Sequence, residues 1–144
     1  LLALPLGGRM SAASIAGGFT LPPEKTKRVL CIAGGIGVTP FVSMMRSMID
    51  MAERRDMVVM YVCNKAEDFA YQEIFEEAKQ FGVQPILIEG KLITKELIAY
   101  EVRDYAGRTW YLSGPQGMVQ AYKKLAREMG VPYTRIKTDY FPGL

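Results

Sequence analysis

Residues 30–46 read LCIAGGIGVTPFVSMMR, and this stretch decides the fold. An apolar run of the kind that forms a buried strand leads into three glycines within four positions, and a segment of helical period follows behind a proline. A strand that passes through a glycine-rich turn into a helix directs unpaired backbone N–H groups and the positive end of the helix dipole at one point. The pattern predicts a β-α unit whose turn suits a diphosphate. The alternative is a tight turn that only packs the helix against the sheet.

The rest of the chain repeats this alternation of short apolar runs and helical segments, which is typical of β-α units around a parallel sheet. Thr39 is the expected N-cap of the first helix, and Gly82 and Gly130 stand where helices commonly end in a left-handed residue. We therefore expect an α/β fold with a doubly wound five-stranded parallel sheet. The pattern predicts strands at 28–33, 57–62, 84–89, 109–113 and 135–137, and helices at 40–52, 70–81, 94–102 and 117–129.

The composition narrows the chemistry that such a sheet would carry. The 144 residues include no histidine, so that Ser-His-Asp hydrolysis and histidine-ligated metal sites are excluded, and no metal is expected. The 18 basic and 15 acidic residues form no basic block, which argues against a nucleic-acid partner. Cys31 and Cys63 lack the spacing of a metal site and are interpreted as buried thiols in a reducing compartment. Because no apolar stretch reaches about 18 residues, no membrane span is expected, and the predicted location is the cytoplasm.

The first 22 residues do not follow the β-α alternation. They contain two pairs of glycines with small residues between them, and they close at Pro22 and Pro23. This composition suits the rim of another structure followed by a connector. We expect a domain boundary there, with residues 23–144 as one domain; a loose N-terminal arm is the alternative.

A second turn of the same construction follows the fourth predicted strand. Gly114, Pro115 and Gly117 lead into the last predicted helix. Ligands of a doubly wound sheet bind beyond the carboxyl ends of the strands, where the strand order reverses. Two glycine-rich turns at that edge therefore indicate an extended ligand that reaches both.

The dinucleotide fingerprint GxGxxG is not met in the first turn. Gly35 and Gly37 supply its first two positions, but Pro40 occupies the third. The second predicted strand is followed by Asn64 and Lys65 rather than by an acidic residue that would bind a ribose hydroxyl. Both departures disfavour an ordinary Rossmann dehydrogenase, and the second also disfavours a methyltransferase.

Three ordered segments together carry a resemblance to a known family. AGGIGVTPFVSMMR at 33–46, YLSGPQGMVQAYKKLAREMGV at 111–131 and IKTDYFPGL at 136–144 resemble the nicotinamide-nucleotide-binding half of the ferredoxin-NADP reductase superfamily. The resemblance covers residues 18–144 and implies two domains, an antiparallel barrel that holds FAD or FMN and an α/β domain that brings NAD(P)H against the flavin. Residues 1–22 would then be the last part of the barrel and its linker, with Phe19 in the barrel's terminal G-x-F.

The resemblance assigns the first turn to the cofactor's diphosphate and to contact with the flavin. The matching residues are Gly34, Gly35, Gly37, Thr39 and Pro40.

The second turn is assigned to the nicotinamide. Gly114, Pro115, Gly117 and Met118 match that loop, while Ser113 stands where many relatives have cysteine.

The carboxyl-terminal segment matches residues that the family places near the nicotinamide and the flavin. Asp139 matches a glutamate, Phe141 matches an aromatic residue, and Leu144 stands where relatives often have tyrosine. Ser113, Asp139 and Phe141 are thus the expected catalytic residues. Alternatively, this segment only anchors the chain end by burying its aromatic side chains.

Asn64 and Lys65 resemble the family position that selects the substituents of the adenosine ribose. Lys65 would meet a 2′-phosphate as a point charge, although a lysine in a loop is commonly solvated. Tyr71 would flank the adenine or lie half-buried in the next helix. The choice between NADH and NADPH stays open at this point.

The function implied by the resemblance is transfer of a hydride from NAD(P)H to FAD or FMN, with electrons passed onward to an acceptor protein, another domain or a small molecule. The family's main flavin motif does not occur in these residues. We therefore expect either a fragment of a longer flavoprotein or a second polypeptide that provides the barrel. A regulatory module that binds NAD(P) without turnover is the alternative from a different class.

Overall fold

Five parallel strands form the centre of the chain, in the spatial order β3-β2-β1-β4-β5. The computed structural model describes residues 17–141. The strands are β1 Val29–Gly34, β2 Met57–Cys63, β3 Val83–Glu89, β4 Thr109–Pro115 and β5 Ile136–Phe141, and the helices are α1 Thr39–Asp50, α2 Gln72–Lys79, α3 Lys95–Glu101 and α4 Gln116–Glu128. The predicted α/β fold with a doubly wound five-stranded parallel sheet is confirmed, and every predicted helix and strand occurs.

The central strand β1 is buried along its whole length because both faces of the sheet are covered. Successive residues of a strand point to opposite faces. Cys31 therefore packs into a core with Phe41 of α1 and Phe75 of α2, while Ile32 packs into a second core with Val119 of α4. The apolar run at the start of residues 30–46 thus lies in the strand that both layers of helices cover.

The strand order reverses between β1 and β4. From β1 the chain winds outward through β2 to β3, and it then returns to place β4 on the other side of β1. Crossover connections at such a point leave the carboxyl ends of the two neighbouring strands uncovered by helix. The turns after β1 and β4 therefore lie side by side at one edge of the sheet.

An ion-pair cluster joins three strands at the opposite edge. Arg108 is buried, and it donates hydrogen bonds to Asp56 Oδ1 at 2.7 Å, to Asp104 Oδ1 at 2.8 Å and to the carbonyl oxygen of Val29 at 3.1 Å. The guanidinium thus satisfies acceptors at the beginnings of β1 and β2 and in the segment before β4. The contacts at the amino-terminal edge of the sheet thus hold the strands together.

Residues just before β1 pack on the sheet. The ring of Phe19 lies 5.2 Å from that of Tyr111 and 5.8 Å from that of Phe41, measured between centroids. Tyr111 donates its hydroxyl to the carbonyl oxygen of Thr20 at 2.6 Å, and Arg55 donates to that of Pro22 at 2.7 Å. The predicted domain boundary near Pro22 stays a prediction, and the expected barrel remnant lies for the most part in residues 1–16, outside the described residues.

The residues predicted to cap the helices have the expected conformation, with one exception. Gly82 and Gly130 have φ values of 92° and 82°, as expected for left-handed residues after helices. The prediction of Thr39 as an N-cap is wrong, because Gly35–Val38 form a 3-10 turn that makes Thr39 already helical, at φ −58° and ψ −40°. Its hydroxyl instead donates to the carbonyl oxygen of Ile36 at 3.0 Å.

Three further predictions from composition concern the same part of the chain. Cys31 and Cys63 are both free and buried, as expected. No helix within residues 17–141 is both long enough and apolar enough to cross a bilayer. Within the same range no group of cysteine and carboxylate side chains is placed to hold a metal ion.

Candidate functional site

The glycine-rich turns after β1 and β4 touch each other through their backbones. A Cβ atom built on Gly37 would lie 2.3 Å from the carbonyl oxygen of Ser113 and 2.6 Å from the Cα of Gly114. Gly35 has a φ of 51°, a conformation in which a side chain is strained. The glycines at 35 and 37 are therefore required, one by its backbone angle and the other by the approach of β4.

The side chain of Met118 fills the space between the two turns. A Cβ on Gly34 would lie 2.2 Å from its sulfur, and a Cβ on Gly114 would lie 2.5 Å from its terminal methyl carbon. A thioether adapts to irregular gaps because it is unbranched and flexible. Met118, which the sequence placed at this loop, thus packs against both turns. Gly117 has open space around its Cβ position, so that nothing near it requires a glycine.

A cleft of about 570 Å³ runs along the carboxyl edge of the sheet from the turn after β4 to the loop after β2. A volume in this range is typical of small-molecule and cofactor sites. Six of the predicted cofactor-binding residues line it, and six of the eight other lining residues come from β2 and the loop after it. The predicted ones are Gly34, Gly35, Thr39, Asn64, Pro115 and Met118, and the others are Ile36, Val38, Tyr61, Val62, Cys63, Asp68, Ala70 and Tyr71.

The loop after β2 differs from the sequence prediction. Asn64 lines the cleft, whereas Lys65 does not, and the ammonium group of Lys65 lies 3.5 Å from Glu67 Oε1 at an exposed site. The sequence analysis missed Asp68, which lines the cleft because the 3-10 turn Ala66–Asp68 brings the chain back. Its Oδ2 accepts a hydrogen bond from the backbone N–H of Lys65 at 3.2 Å. An acidic residue three positions after the start of the loop is thus the local sequence signal that the prediction for this loop overlooked.

Two side chains of β2 form part of the wall of the cleft. Burial, followed by a hydrogen bond with Cys63, raises the pKa of Tyr61 to about 12, so its phenol stays neutral near neutral pH. The thiol of Cys63 donates to the carbonyl oxygen of Asp68 at 3.5 Å. The hydrogen bond from Cys63 fixes the loop that carries Asp68 against the strand.

A second cleft of about 660 Å³ lies on the other side of the first turn of α1. Thr39 lines the first cleft, while its neighbour Pro40 lines the second. The structure brings two other predicted residues, Phe19 and Asp139, to this second cleft. Its lining consists of Gly17, Gly18, Phe19, Thr20, Pro40, Lys137, Thr138 and Asp139.

Ser113, an expected catalytic residue, lines neither cleft and has an unusual environment. It is 0% exposed, and its hydroxyl has no hydrogen-bond partner within the described part of the chain. Its Cα pairs in register with Ala33 of β1 and with Asp139 of β5. A buried polar group without a hydrogen-bond partner destabilises the folded state. Such a group is therefore usually explained by a functional role or by a molecule that binds to it.

The last described residues form the outer strand of the sheet. β5 extends to Phe141, four residues beyond the predicted end, because Asp139 and Phe141 pair in register with Ser113 and Pro115 of β4. Phe141 is 40% exposed and Tyr140 is 52% exposed. The expectation that this segment buries its aromatic rings is therefore wrong for the described residues, and Leu144 lies outside them.

Comparison with known proteins gives the class of this fold and site. Residues 31–84 match the family model described as an oxidoreductase NAD-binding domain. The flavohemoprotein of Bacillus subtilis is 26% identical over 155 residues, covering 94% of this chain and 38% of that protein. The tetrachlorobenzoquinone reductase of Sphingobium chlorophenolicum is 28% identical over 144 residues, covering 96% of this chain and 42% of that protein. The chain spans about two fifths of the length of these relatives.

Solved structures with the same fold include a domain of a dioxygenase and a cytochrome P450 reductase. The FAD/NAD-binding domain of nitric oxide dioxygenase from Vibrio cholerae superposes with a TM-score of 0.73 and 23% identity, over 89% of this chain and 56% of that one. The cytochrome P450 reductase GcoB of Amycolatopsis gives a TM-score of 0.75 and 22% identity, over 90% of this chain and 43% of that one. The fold is thus that of a ferredoxin reductase-like NAD-binding domain, and the family model and the relatives agree with the resemblance stated from the sequence.

Proposed function

We propose that this chain is the NAD(P)H-binding module of a flavin-dependent oxidoreductase. The observation that carries the proposal is the meeting of two glycine-rich turns, at Gly35–Gly37 and Ser113–Gly114, beside an elongated cleft at the point where the strand order reverses. A mononucleotide would need only one such turn, whereas a dinucleotide reaches from one to the other.

The residues present fit a dinucleotide. The diphosphate would lie against the backbone of Gly35–Val38, where a 3-10 turn leads directly into α1 and no side chain caps the start of the turn. The nicotinamide end would approach Pro115 and Met118 beside the turn after β4. The unpartnered hydroxyl of Ser113 is fully buried next to this turn, so a ligand would reach it only after the turn moves. The adenosine end would lie near Asn64 and Tyr71.

The second cleft is proposed as the place where the flavin adjoins this module. Pro40 separates it from the nucleotide cleft, while Phe19 and Asp139 line it. When bound, the nicotinamide supplies a hydride to the FAD or FMN, and the electrons pass on to an acceptor. The chain's own contribution is to orient both groups and to exclude water, which fits a sequence without histidine.

The partners belong to the same proposal. The flavin-binding barrel would be supplied by residues upstream or by a second chain, and an acceptor protein or small molecule would receive the electrons. The exposed rings of Tyr140 and Phe141 at the end of β5 support contact with another surface. A cytoplasmic location is supported by the two free cysteines.

A module that senses NAD(P) without turnover would need the nucleotide cleft but would have no use for the second cleft. The test has two stages. The chain is first titrated with NAD⁺ and NADP⁺ by calorimetry, and the protein with its flavin-binding barrel is then assayed for NAD(P)H oxidation by ferricyanide, with and without added FAD or FMN.

Nucleotide binding together with flavin-dependent oxidation is the expected result. Binding without flavin-dependent oxidation would assign the chain to the sensing class. Asp139→Asn, compared with Asp50→Asn at the far end of α1, tests the second cleft: only the former should slow oxidation while both bind nucleotide equally. Failure of the folded chain to bind either nucleotide would refute both functions.

A further inference from the structure

A third cleft of about 510 Å³ lies at the amino-terminal edge of the sheet, between the segment before β1 and the beginning of β5. Its volume is typical of a small-molecule site. The described residues that line it all come from strands and loops, and none belongs to the four α-helices. It shares no lining residue with the nucleotide cleft at the opposite edge, so the two are separate sites.

The cleft forms beside a chain segment that crosses the outer strands of the sheet. Tyr111 of β4 pairs in register with Lys137 of β5, so both side chains lie on the face of the sheet that carries α1. The segment is attached to this face by hydrogen bonds from Tyr111 to the carbonyl oxygen of Thr20 and from Arg55 to that of Pro22. The two walls of the cleft therefore belong to parts of the chain that are distant in sequence.

The lining of this cleft is strongly basic. It contains four cations and one carboxylate, namely Lys27, Arg28, Arg135, Lys137 and Glu24. The lining thus has a net charge of +3, as large as that of the whole chain. The nucleotide cleft, by contrast, is lined by no lysine or arginine of residues 17–141. The fold therefore gathers into one concave site cations that form no block in the sequence.

Arg135 and Lys137 are the two cations that the described residues leave without a counter-ion. No carboxylate of residues 17–141 lies within ion-pair distance of either side chain. Asp139, the next residue on the same face of β5, lines the second cleft instead. Two like charges on one wall repel each other, and an anion bound between them relieves that repulsion.

The other two cations each have a carboxylate partner. Arg28 donates to Asp104 Oδ2 at 2.6 Å, which fixes its guanidinium beside the cleft. The ammonium group of Lys27 lies 3.2 Å from Glu24 Oε2, and both of these side chains are more than half exposed. Such an exposed pair contributes little energy, so the Lys27 ammonium group can exchange Glu24 for an added anion.

Three threonine hydroxyls add neutral donors to the lining, those of Thr20, Thr109 and Thr134. The threonine hydroxyls that make hydrogen bonds within residues 17–141 are those of Thr39 and Thr94, which lie outside this cleft. A hydroxyl can donate to an oxyanion, and the N–H groups of a guanidinium match the geometry of phosphate and carboxylate. The donors of the cleft therefore suit phosphate or carboxylate oxygens.

We propose that this cleft binds a small anion with at least two negative charges on phosphate or carboxylate oxygens. The anion contacts Lys27 on one wall and Arg135 and Lys137 on the other, so it bridges the segment before β1 to β5. It thereby holds that segment more firmly on the sheet. The inference goes beyond the proposed nucleotide-binding function and does not depend on it, because the two clefts have no residue in common.

The test measures binding of pyrophosphate and of citrate to the chain by calorimetry at low and at high salt, with amide NMR spectra recorded in parallel. Arg135→Gln and Lys27→Gln each remove one cation, one from each wall of the cleft. Lys124→Gln is the matched control, because it removes the same charge from α4, outside the cleft. Polyglutamate and NAD⁺ are used as competitors in separate titrations.

We expect pyrophosphate, citrate or both to bind, more weakly at high salt, with the largest amide shifts in residues 18–28 and 134–137. Binding of only one of the two anions would identify the class of the ligand. Each cleft variant should weaken binding by about fivefold or more, which is the effect of one charge pair at contact distance in an exposed site. Lys124→Gln should leave the affinity unchanged.

The inference would be overturned if neither anion bound to the folded chain, if both cleft variants left the affinity unchanged, or if NAD⁺ displaced the anion. Tighter binding of polyglutamate than of either small anion would also overturn it, because the cleft would then be a docking surface for an acidic protein segment. None of these outcomes affects the proposed nucleotide-binding function. Conversely, failure of the chain to bind NAD⁺ or NADP⁺ would refute that function and leave this inference standing.

Discussion

Substitution of Gly37 by alanine tests the contact between the two glycine-rich turns. The new Cβ would lie 2.3 Å from the carbonyl oxygen of Ser113, whereas ordinary contacts begin at 3.4 Å, so the backbones must separate by roughly 1 Å. No flexible side chain can absorb the change, because the three nearest atoms all belong to the backbone of Ser113 and Gly114. The carboxyl ends of β1 and β4, which pair up to Ala33 and Ser113, must therefore move apart.

The expected loss of stability follows from that displacement. Overpacking costs about 1–3 kcal/mol, and weakening a hydrogen bond at the end of the β1–β4 ladder adds about 1 kcal/mol, which gives roughly 2–4 kcal/mol in total. With a urea dependence of about 2 kcal/mol per molar, the midpoint of unfolding should fall by roughly 1–2 M. A domain of ordinary stability remains folded after such a loss.

Urea unfolding of the chain can be followed by the fluorescence of its single tryptophan, Trp110, which is fully buried in β4. Two other glycines serve as controls, since a Cβ on Gly35 or on Gly117 would meet nothing within 4 Å. Gly35→Ala should cost about 1–2 kcal/mol because its φ is 51°. Gly117→Ala, inside α4, should be neutral or gain up to about 1 kcal/mol. If Gly37→Ala lowered the midpoint no more than Gly35→Ala does, the close approach of the two turns would be refuted.

Three further predictions concern contacts away from the cleft. Arg108→Met should lower the free energy of unfolding, measured in urea, by about 2 kcal/mol. The loss is smaller than for a fully buried ion pair because Asp56 and Asp104 are 52% and 33% exposed and become rehydrated. An unchanged midpoint of unfolding would contradict the stabilising role of the ion-pair cluster. Burial alone would raise the pKa of Asp104, but the hydrogen bond and charge of Arg108 outweigh it and hold that pKa below 3.8, so its stabilisation should be complete above about pH 5 and decline as the pH falls below about 4; Asp104→Asn should remove this part of the acid dependence, and an identical pH profile would count against the shift. Tyr111→Phe should cost about 1 kcal/mol and speed amide exchange in residues 19–22 by removing the hydrogen bond to Thr20, and unchanged exchange there would show that this bond does not hold the segment.

The sequence predicts the fold well because its signals are local and strong. The apolar runs that became β1 and β2 are flanked by glycine or by charged residues, and the helical segments have a clear apolar face. The two predicted glycine-rich turns, after β1 and β4, come together because strand order is limited in a doubly wound sheet. The position of the candidate site, where the two turns meet, could therefore be predicted from the sequence.

Two of the details that the sequence prediction missed depend on contacts between distant parts of the chain. The 3-10 turn that displaces the N-cap from Thr39 forms where Gly37 meets the backbone of Ser113, 76 positions away. The length of β5 depends on its register with β4, which no local pattern contains. Asp68 was overlooked because the search for an acidic residue stopped at the end of β2, whereas a short turn returns the chain to the cleft five positions later.

The uniform burial of β1 has a consequence for how this site can change. The turn at Gly35–Val38 is attached to the strand that should open last, since Val29–Ala33 are 0% exposed and paired on both sides. The loop that carries Asp68 is exposed, and substitutions at such positions usually alter stability by less than about 0.5 kcal/mol. The wall of the cleft on the β2 side can therefore change its chemistry without a compensating change in the core.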